Sequence, residues 1–414
     1  MSDLEPGQPS GLVKSIKNER KSYPMNSMKE SVAAAAEKSL ALRHYFHKHP
    51  ELPWKEVETT ALIASELEKR GVKVVKRGFK GLATGLIAEV KGALPGPVLA
   101  IRADIDALPV SEDASLSLRS EVPNVMHACG HDAHAAILIG AAEVIQAHRD
   151  ELAGTVRFIF QPAEEAGYDS GAPAVIAEGG LDGVDAIIGA HVWSDSPLGT
   201  IGWKHGAMMA SADIWEMTIK GKGGHGGQPH KAVNPTLCAA SMIPAIQSIV
   251  SQEIDTQEPV VVTVGSLKAG QAPNVIPAEC FASGNVRASS RETRSSMPER
   301  FERIAKGIAE AWRCTVDLKY TPIYPVTVND NAMIDWVVDV VKAEGMGGRL
   351  YDMPFQMGSE DFSYYGEKLP AAYFYFGMGT QTPHHSPLFH VDDEVIPLGI
   401  HTFAALALDF GKRK

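Results

Sequence analysis

Met126–His134 reads Met-His-Ala-Cys-Gly-His-Asp-Ala-His and sets His127, Cys129, His131, Asp132 and His134 around Gly130 within nine residues. Thiolate and imidazole are the donors that borderline-soft divalent cations prefer, and a carboxylate can hold or orient an imidazole. Gly130 lets the backbone bend tightly enough for Cys129 and His131 to converge on one point. Any one of these side chains alone would be an ordinary core or surface group. Five of them in so short a stretch point to a metal site.

Further groups must complete such a site. Glu164-Glu165 follows the apolar run Thr155–Gln161 and precedes Gly167. Of two adjacent carboxylates, one can bind metal while its neighbour takes a proton from activated water. His191 ends another apolar run, Ile187-Ile188-Gly189-Ala190-His191, a place where a ligand belongs. His384-His385-Ser386-Pro387 lies between the aromatic run Tyr373–Phe376 and Asp392-Asp393-Glu394, so a histidine there could close the shell from the C-terminal segment. Gly221, Gly223 and Gly226 fit the spacing of a dinucleotide-binding loop. A histidine inside the run, Pro229 behind it and no helix opening from the loop remove that reading. Gly-flanked His225 suits an oxyanion or substrate contact instead. The chain shows no HExxH, GxSxG or P-loop pattern.

The elements that would carry these groups read as α/β. Helices are predicted from Glu30 to about Lys48 and over Trp54–Arg70, Ala135–His148 and Asn234–Ser251, with others over Glu299–Trp312 and Pro397–Phe410. Strands are predicted at Lys73–Lys76, Gly85–Val90, Val98–Arg102, Thr155–Gln161 and Ala186–His191. Alternating strands and helices indicate a mostly parallel central sheet with flanking helices, and open sheets of this kind place their sites past strand C-terminal ends. Near Gly206 the texture changes to a βαββαβ-like set that ends before Thr321-Pro322-Ile323-Tyr324-Pro325. The expected organisation is a flexible extension over residues 1–28, a metal-binding catalytic domain over 29–205 and 326–414, and a smaller inserted α+β domain over 206–325.

With 414 residues, 44% of them hydrophobic, there is ample material for two cores. A net charge of −11 argues against a nucleic-acid or anionic-membrane surface. The cysteines Cys129, Cys238, Cys280 and Cys314 are far apart in sequence and lack CxxC spacing, so no disulfide framework is expected and a cytoplasmic setting fits. No apolar run is long enough to span a bilayer.

Read in order, Arg-Ala-Asp-Ile-Asp-Ala-Leu-Pro, Met-His-Ala-Cys-Gly-His-Asp-Ala-His, Gln-Pro-Ala-Glu-Glu, Gly-Lys-Gly-Gly-His-Gly-Gly-Gln-Pro-His, Asn-Val-Ile-Pro, Gly-Ser-Glu-Asp-Phe and His-Ser-Pro make a pattern. Over roughly Glu30 to Phe410 it resembles the amidohydrolase branch of the aminoacylase/carboxypeptidase metallopeptidase family. That branch holds hippurate hydrolases and plant auxin–amino acid conjugate hydrolases. The resemblance implies an inserted lid or dimerisation domain and one or two divalent metal ions per subunit, zinc or manganese first, cobalt or nickel also suiting the donors. It implies Cys129, His131, Glu165, His191 and His385 as ligands and Glu164 as general base and acid. His225, Asn274 and Arg287 would contact the substrate carbonyl or carboxylate, and Asp104 and Asp106 would stand behind the ligands. In the family, the histidine matching His225 often reaches a neighbouring subunit's site, which implies a homodimer or higher homo-oligomer.

The implied reaction is hydrolysis of an N-acyl or aryl-acyl amino acid by a metal-activated water. The same water could release ammonia from an aromatic amine, and a remote alternative is a metal-binding protein without turnover. The residues after the acid pair (Tyr168, Asp169, Ser170) are bulkier than the branch's usual glycine-rich turn, and Asn124, Ser194-Asp195 and His384-His385 also vary. All lie next to the implied ligands, where they bear on substrate identity and metal occupancy.

Overall fold

The computed structural model describes residues 25–380 and 382–412. Most of the extension expected over residues 1–28 therefore lies outside the described residues. The first lobe opens with α1 (Met25–Lys48), α2 (Val57–Lys69), β1 (Lys73–Arg77), β2 (Leu86–Lys91) and β3 (Leu94–Asp104). A long connection leads to α3 (His131–Ala147), β4 (Ala153–Gln161), α4 (Gly171–Ala177), β5 (Ala186–Trp193), β6 (Ile201–Trp203) and β7 (Gly206–Met209). The inserted lobe comprises β8 (Ala212–Lys220), β9 (Gly224–His225), α5 (Pro235–Gln252), β10 (Val260–Ala269), β11 (Val275–Ile276), β12 (Glu279–Ala288), α6 (Arg291–Ala311) and β13 (Thr315–Tyr324). The chain returns through β14 (Thr327–Asn329), α7 (Asn331–Ala343), β15 (Leu350–Asp352), α8 (Ser363–Gly366), β16 (Ala371–Gly377) and α9 (Val395–Phe410).

The large sheet runs β1-β2-β4-β3-β5-β16-β6-β15. Its centre, β4-β3-β5-β16, is parallel throughout, and the antiparallel pairs are β1/β2, β2/β4 and β16/β6. A parallel centre must be covered on both faces. Two apolar clusters do this, one joining α1, α3 and α9 to the sheet and the other built on Phe79, Ile159, Ile187, Phe362 and Tyr373. Helix α3 is therefore buried on nearly every face rather than on one stripe, since it packs against α1, α9 and the sheet together. Gly140 makes that approach possible: a Cβ there would stand 2.4 Å from Ile400 Cδ1 and 2.5 Å from Ser39 Oγ.

The inserted lobe folds as β8-α5-β10-β12-α6-β13, with an antiparallel sheet ordered β10-β12-β8-β13 and its own core around Trp215, Met242 and Phe301. This is the βαββαβ pattern, the split form of two βαβ-type units. Its second helix starts earlier than the sequence suggests. Pro298 argues for a start at Glu299, yet α6 begins at Arg291, where the Ser290 side chain accepts the Thr293 N–H. The cap and the burial of Thr293 and Met297 outweigh the hydrogen bond that proline removes. Likewise α1 begins at Met25 rather than Glu30. Cys238, Cys280 and Cys314, distant in sequence, meet as free thiols in the core of the inserted lobe. No helix among the described residues is long and apolar enough to cross a membrane.

Candidate active site

The chemical residues gather past the C-terminal ends of β3, β4 and β5, as open parallel sheets dictate. Asp104 closes β3, Glu164 and Glu165 open a 3₁₀ turn three residues beyond β4, and His191 lies near the end of β5. Gly130 is the N-cap of α3, with φ 86°, and a Cβ there would meet Val192 Cγ2 at 2.4 Å. This left-handed turn directs Cys129 and His131 to the same point.

The structure sorts the nine-residue cluster into distinct jobs. His131 binds Asp106 Oδ1 through Nδ1 at 3.1 Å, and its Nε2 is buried with no hydrogen-bond partner among the described residues. Burial alone would lower its pKa, but Asp104 and Asp106 hold it up at about 10. His191 donates Nδ1–H to Val192 O at 2.6 Å, leaving Nε2 3.4 Å from Cys129 Sγ. Burial, then His134 and His384, keep its imidazole neutral, the form that binds metal. His134 is a strut instead: Nδ1 pairs with Asp104 and Nε2 accepts the Val192 N–H at 2.9 Å. Asp132 turns away to Arg43 Nε at 3.2 Å and His47 Nδ1 at 2.9 Å. His127 is buried with neither ring nitrogen hydrogen-bonded within the described residues.

Asp106 also accepts the Glu165 N–H at 2.9 Å, so one carboxylate sets both His131 and the acid-pair turn. Asp104 reaches Arg102 as well as His134. From the C-terminal segment, His385 (φ 64°) donates its N–H to Ala128 O at 2.8 Å and brings Nε2 to 3.1 Å from Glu165 Oε1. Of five donor triples among the described residues whose ligand atoms lie within 4.8 Å of one another, two share Cys129, Cys129/His131/His191 and Cys129/Glu165/His385, and a third joins His131 to Glu164 and Glu165.

These residues fit a divalent cation on their own chemistry. Burial and the Glu165, Glu164 and Asp104 charges push the Cys129 thiol well above its usual range. Burial and then Glu360, Glu165, Asp361 and Asp106 do the same to the Glu164 carboxyl. A positive ion is what would let these neighbours ionise together, and His131 Nε2, buried with no hydrogen-bond partner among the described residues and 3.7 Å from Asp104, is a nitrogen that could bind it.

Behind Glu164 lies a buried polar network in which Asp104 alone carries a role implied by the resemblance. Arg102 donates Nε–H to Gln161 Oε1 at 2.9 Å and reaches Asp104, Asp361 (2.7 Å) and Glu360 (2.9 Å) with its two terminal nitrogens. Gln161 Nε2 and the Ala172 N–H also donate to Asp361. Tyr324, at the end of β13, donates its hydroxyl to the Glu164 carbonyl and accepts the Gly167 N–H at 3.1 Å, which ties the inserted lobe to the acid-pair turn.

A second buried network braces α3 from α1. His47 bonds Asp132 through Nδ1 and Glu112 through Nε2, both at 2.9 Å. Burial pulls its pKa down, but these two carboxylates win and raise it to about 9. A raised folded-state pKa stabilises fully below the unfolded value of about 6.5 and is lost as pH rises through 9. The expected loss across that window is about 3 kcal/mol, read as a falling urea midpoint between pH 6 and 9.5. In His47→Gln the fall should flatten, and an unchanged slope would remove His47 as its source.

A cavity of about 480 Å³ opens over the donors, lined by Cys129, Glu164, Glu165, His191 and His385 on one side and by Asp213, Asn285 and Arg287 of the inserted lobe on the other. Trp193, Met209, Ile214 and Ile323 give it an apolar wall, with Trp193 stacked on Tyr375 at 4.4 Å and tilted against His384 at 4.8 Å. Arg287 donates to Ser359 Oγ, and no carboxylate among the described residues pairs with it. His225 and Asn274 are not on this wall. They meet each other where β9 pairs with β11, the Gly226 N–H donating to Asn274 O at 2.8 Å, and the His225 side chain is exposed.

Comparison with known proteins agrees with this architecture. The family model described as peptidase family M20/M25/M40 matches residues 100–409. The chain is 42% identical over 368 residues to an N-acetylcysteine deacetylase of Bacillus subtilis, covering 89% of this chain and 95% of the relative. It is 38% identical over 378 residues to an IAA-amino acid hydrolase of Arabidopsis thaliana, ILR1-like 4, covering 89% and 84%. The crystal structure of the Bacillus subtilis YXEP protein, a dinuclear metal-binding peptidase from the M20 family, superposes with a TM-score of 0.82 at 38% identity, covering 92% of this chain and 99% of that one. This chain is therefore a hydrolase acting on amide or peptide carbon–nitrogen bonds, and it belongs to peptidase family M20/M25/M40.

Proposed function

We propose that the protein hydrolyses the amide bond of an N-acyl or aryl-acyl amino acid and releases the free amino acid. The observation that carries this reading is the single cavity that holds a buried Glu164 beside a thiolate–imidazole–carboxylate donor set, an apolar wall and a cation, Arg287, which feels the charge of Asp213 but makes no ion pair among the described residues. Cys129, His131, Glu165, His191 and His385 would hold one or two divalent ions, with Cys129 shared. Zinc or manganese suits this mixed set first. Such an ion supplies Lewis-acid polarisation and lowers the pKa of bound water.

Glu164 takes the proton of the attacking water and later delivers it to the departing amine. Arg287 receives the substrate carboxylate, and the Trp193–Ile323 wall receives the acyl group. The two relatives named above support an N-acyl amino acid in that pocket, each by its own name. Residues 29–205 and 326–414 act as the catalytic part together with β7 (Gly206–Met209), which pairs with β14, and the remainder of 206–325, from β8 to β13, acts as the lid.

His225 and Asn274 are exposed and do not line their own cavity. We assign them to the site of a second subunit, so the working form is a homodimer or larger; sedimentation as a monomer under assay conditions would contradict this. Four free cysteines, one of them a candidate ligand, suit a cytoplasmic setting.

Arg287→Met tests the substrate assignment. A charge-assisted bond to a carboxylate contributes about 1.5–3 kcal/mol, so KM for an N-acyl amino acid should rise by about 10–100-fold with kcat nearly unchanged. The matching N-acyl amine, which lacks the carboxylate, should be indifferent to the change. Equal losses on both substrates would remove Arg287 as the carboxylate contact.

A further inference from the structure

Glu56 belongs to none of the donor groups, yet it is fully buried close to the acid-pair turn. It precedes α2 at the N-cap position, but its side chain makes no cap bond to that helix. Instead Oε1 accepts the Ala163 N–H at 2.8 Å, while Oε2 is buried without a hydrogen-bond partner among the described residues. Ala163 has φ 54° and ψ 44°, the left-handed region, and immediately precedes Glu164. That conformation costs an alanine about 1–2 kcal/mol, so it persists only where the surroundings hold it. Tyr324 anchors the Glu164 carbonyl and the Gly167 N–H, Asp106 the Glu165 N–H, and the Gly171 N–H the Ala163 carbonyl at 3.0 Å, while Gln161 Nε2 reaches the Pro162 carbonyl at 3.5 Å. The Ala163 N–H is held by Glu56. Glu56 holds the turn upstream of Glu164.

We propose that Glu56 is a positioning residue for Glu164, its carboxyl holding Ala163 in the left-handed conformation that turns the Glu164 carboxyl into the cavity. The proposal rests on the reading of Glu164 as the base. Burial, and then the charge of Asp106, push the Glu56 carboxyl up to about 8. A glutamine amide keeps an oxygen that can accept the Ala163 N–H, and a methionine of similar volume does not.

The test compares wild type, E164Q, E56M and E56Q, all metal-reconstituted, on the N-acyl amino acid that wild type hydrolyses fastest, N-acetyl-L-cysteine being the first tried. E56M should keep its metal and its KM while kcat falls by about 10–100-fold, as expected for a small misplacement of a reacting group. E56Q should stay close to the wild-type kcat. A wild-type kcat in E56M, or a loss in E56Q as deep as in E56M, would overturn the proposal. If E56M loses metal or melts early, E56D replaces it: its shorter carboxyl falls short of Ala163, and a wild-type kcat there is equally fatal. Full turnover by E164Q would remove the underlying reading of the base. An inactive E164Q beside an unimpaired E56M would remove this proposal alone.

Discussion

Glu164→Gln is expected to lower kcat by about 10²–10⁴-fold while leaving metal content and KM close to wild type. Glutamine keeps the shape and the contact to the Asp361 N–H, which reaches Glu164 Oε1 at 3.4 Å, but it cannot take a proton. The donor triples through Cys129 do not need Glu164 to remain complete. Metal analysis of the purified variant together with its steady-state rates decides the matter. Loss of metal along with activity would make Glu164 a ligand, and retained activity would require another base.

The second large effect concerns stability. Arg102→Met is expected to destabilise the fold by about 3–5 kcal/mol, because removing one partner of a buried ion network leaves the others uncompensated. Arg102 is 1% exposed and faces Asp104, Glu360 and Asp361, each as deeply buried. Lysine should not rescue it, since Arg102 uses the whole fork, Nε to Gln161 and the two terminal nitrogens to separate carboxylates. Chemical denaturation provides the check. A loss below about 1 kcal/mol would mean that the acids simply protonate and that Arg102 contributes little.

Much of this arrangement is legible in the chain before any coordinates. The cluster around Gly130, the acid pair after an apolar run and the histidine near the end of another are local signals, and the fold brings them to one end of one sheet. The βαββαβ order is also local, since strand and helix periodicities alternate visibly. What escapes the sequence is the partner choice between distant segments. Glu56 meets Ala163 across 107 positions and Gln161 meets Asp361 across 200, and nothing in either stretch announces the other. An alanine in the left-handed region leaves no mark of the kind a glycine does. Within the cluster, composition could not separate His134, held at both nitrogens, from His131, which is not. That distinction depends on where Asp104 and Val192 lie in space.

Identification of the reaction products tests the central claim most directly. Metal-reconstituted protein would be incubated with a panel of N-acyl amino acids and aromatic amines and the products read by mass spectrometry. Release of a free amino acid and the corresponding acid, abolished in E164Q, is the predicted result. Ammonia from the amines with the amides left intact would contradict it, and would mean that the same acid pair and donor set serve deamination.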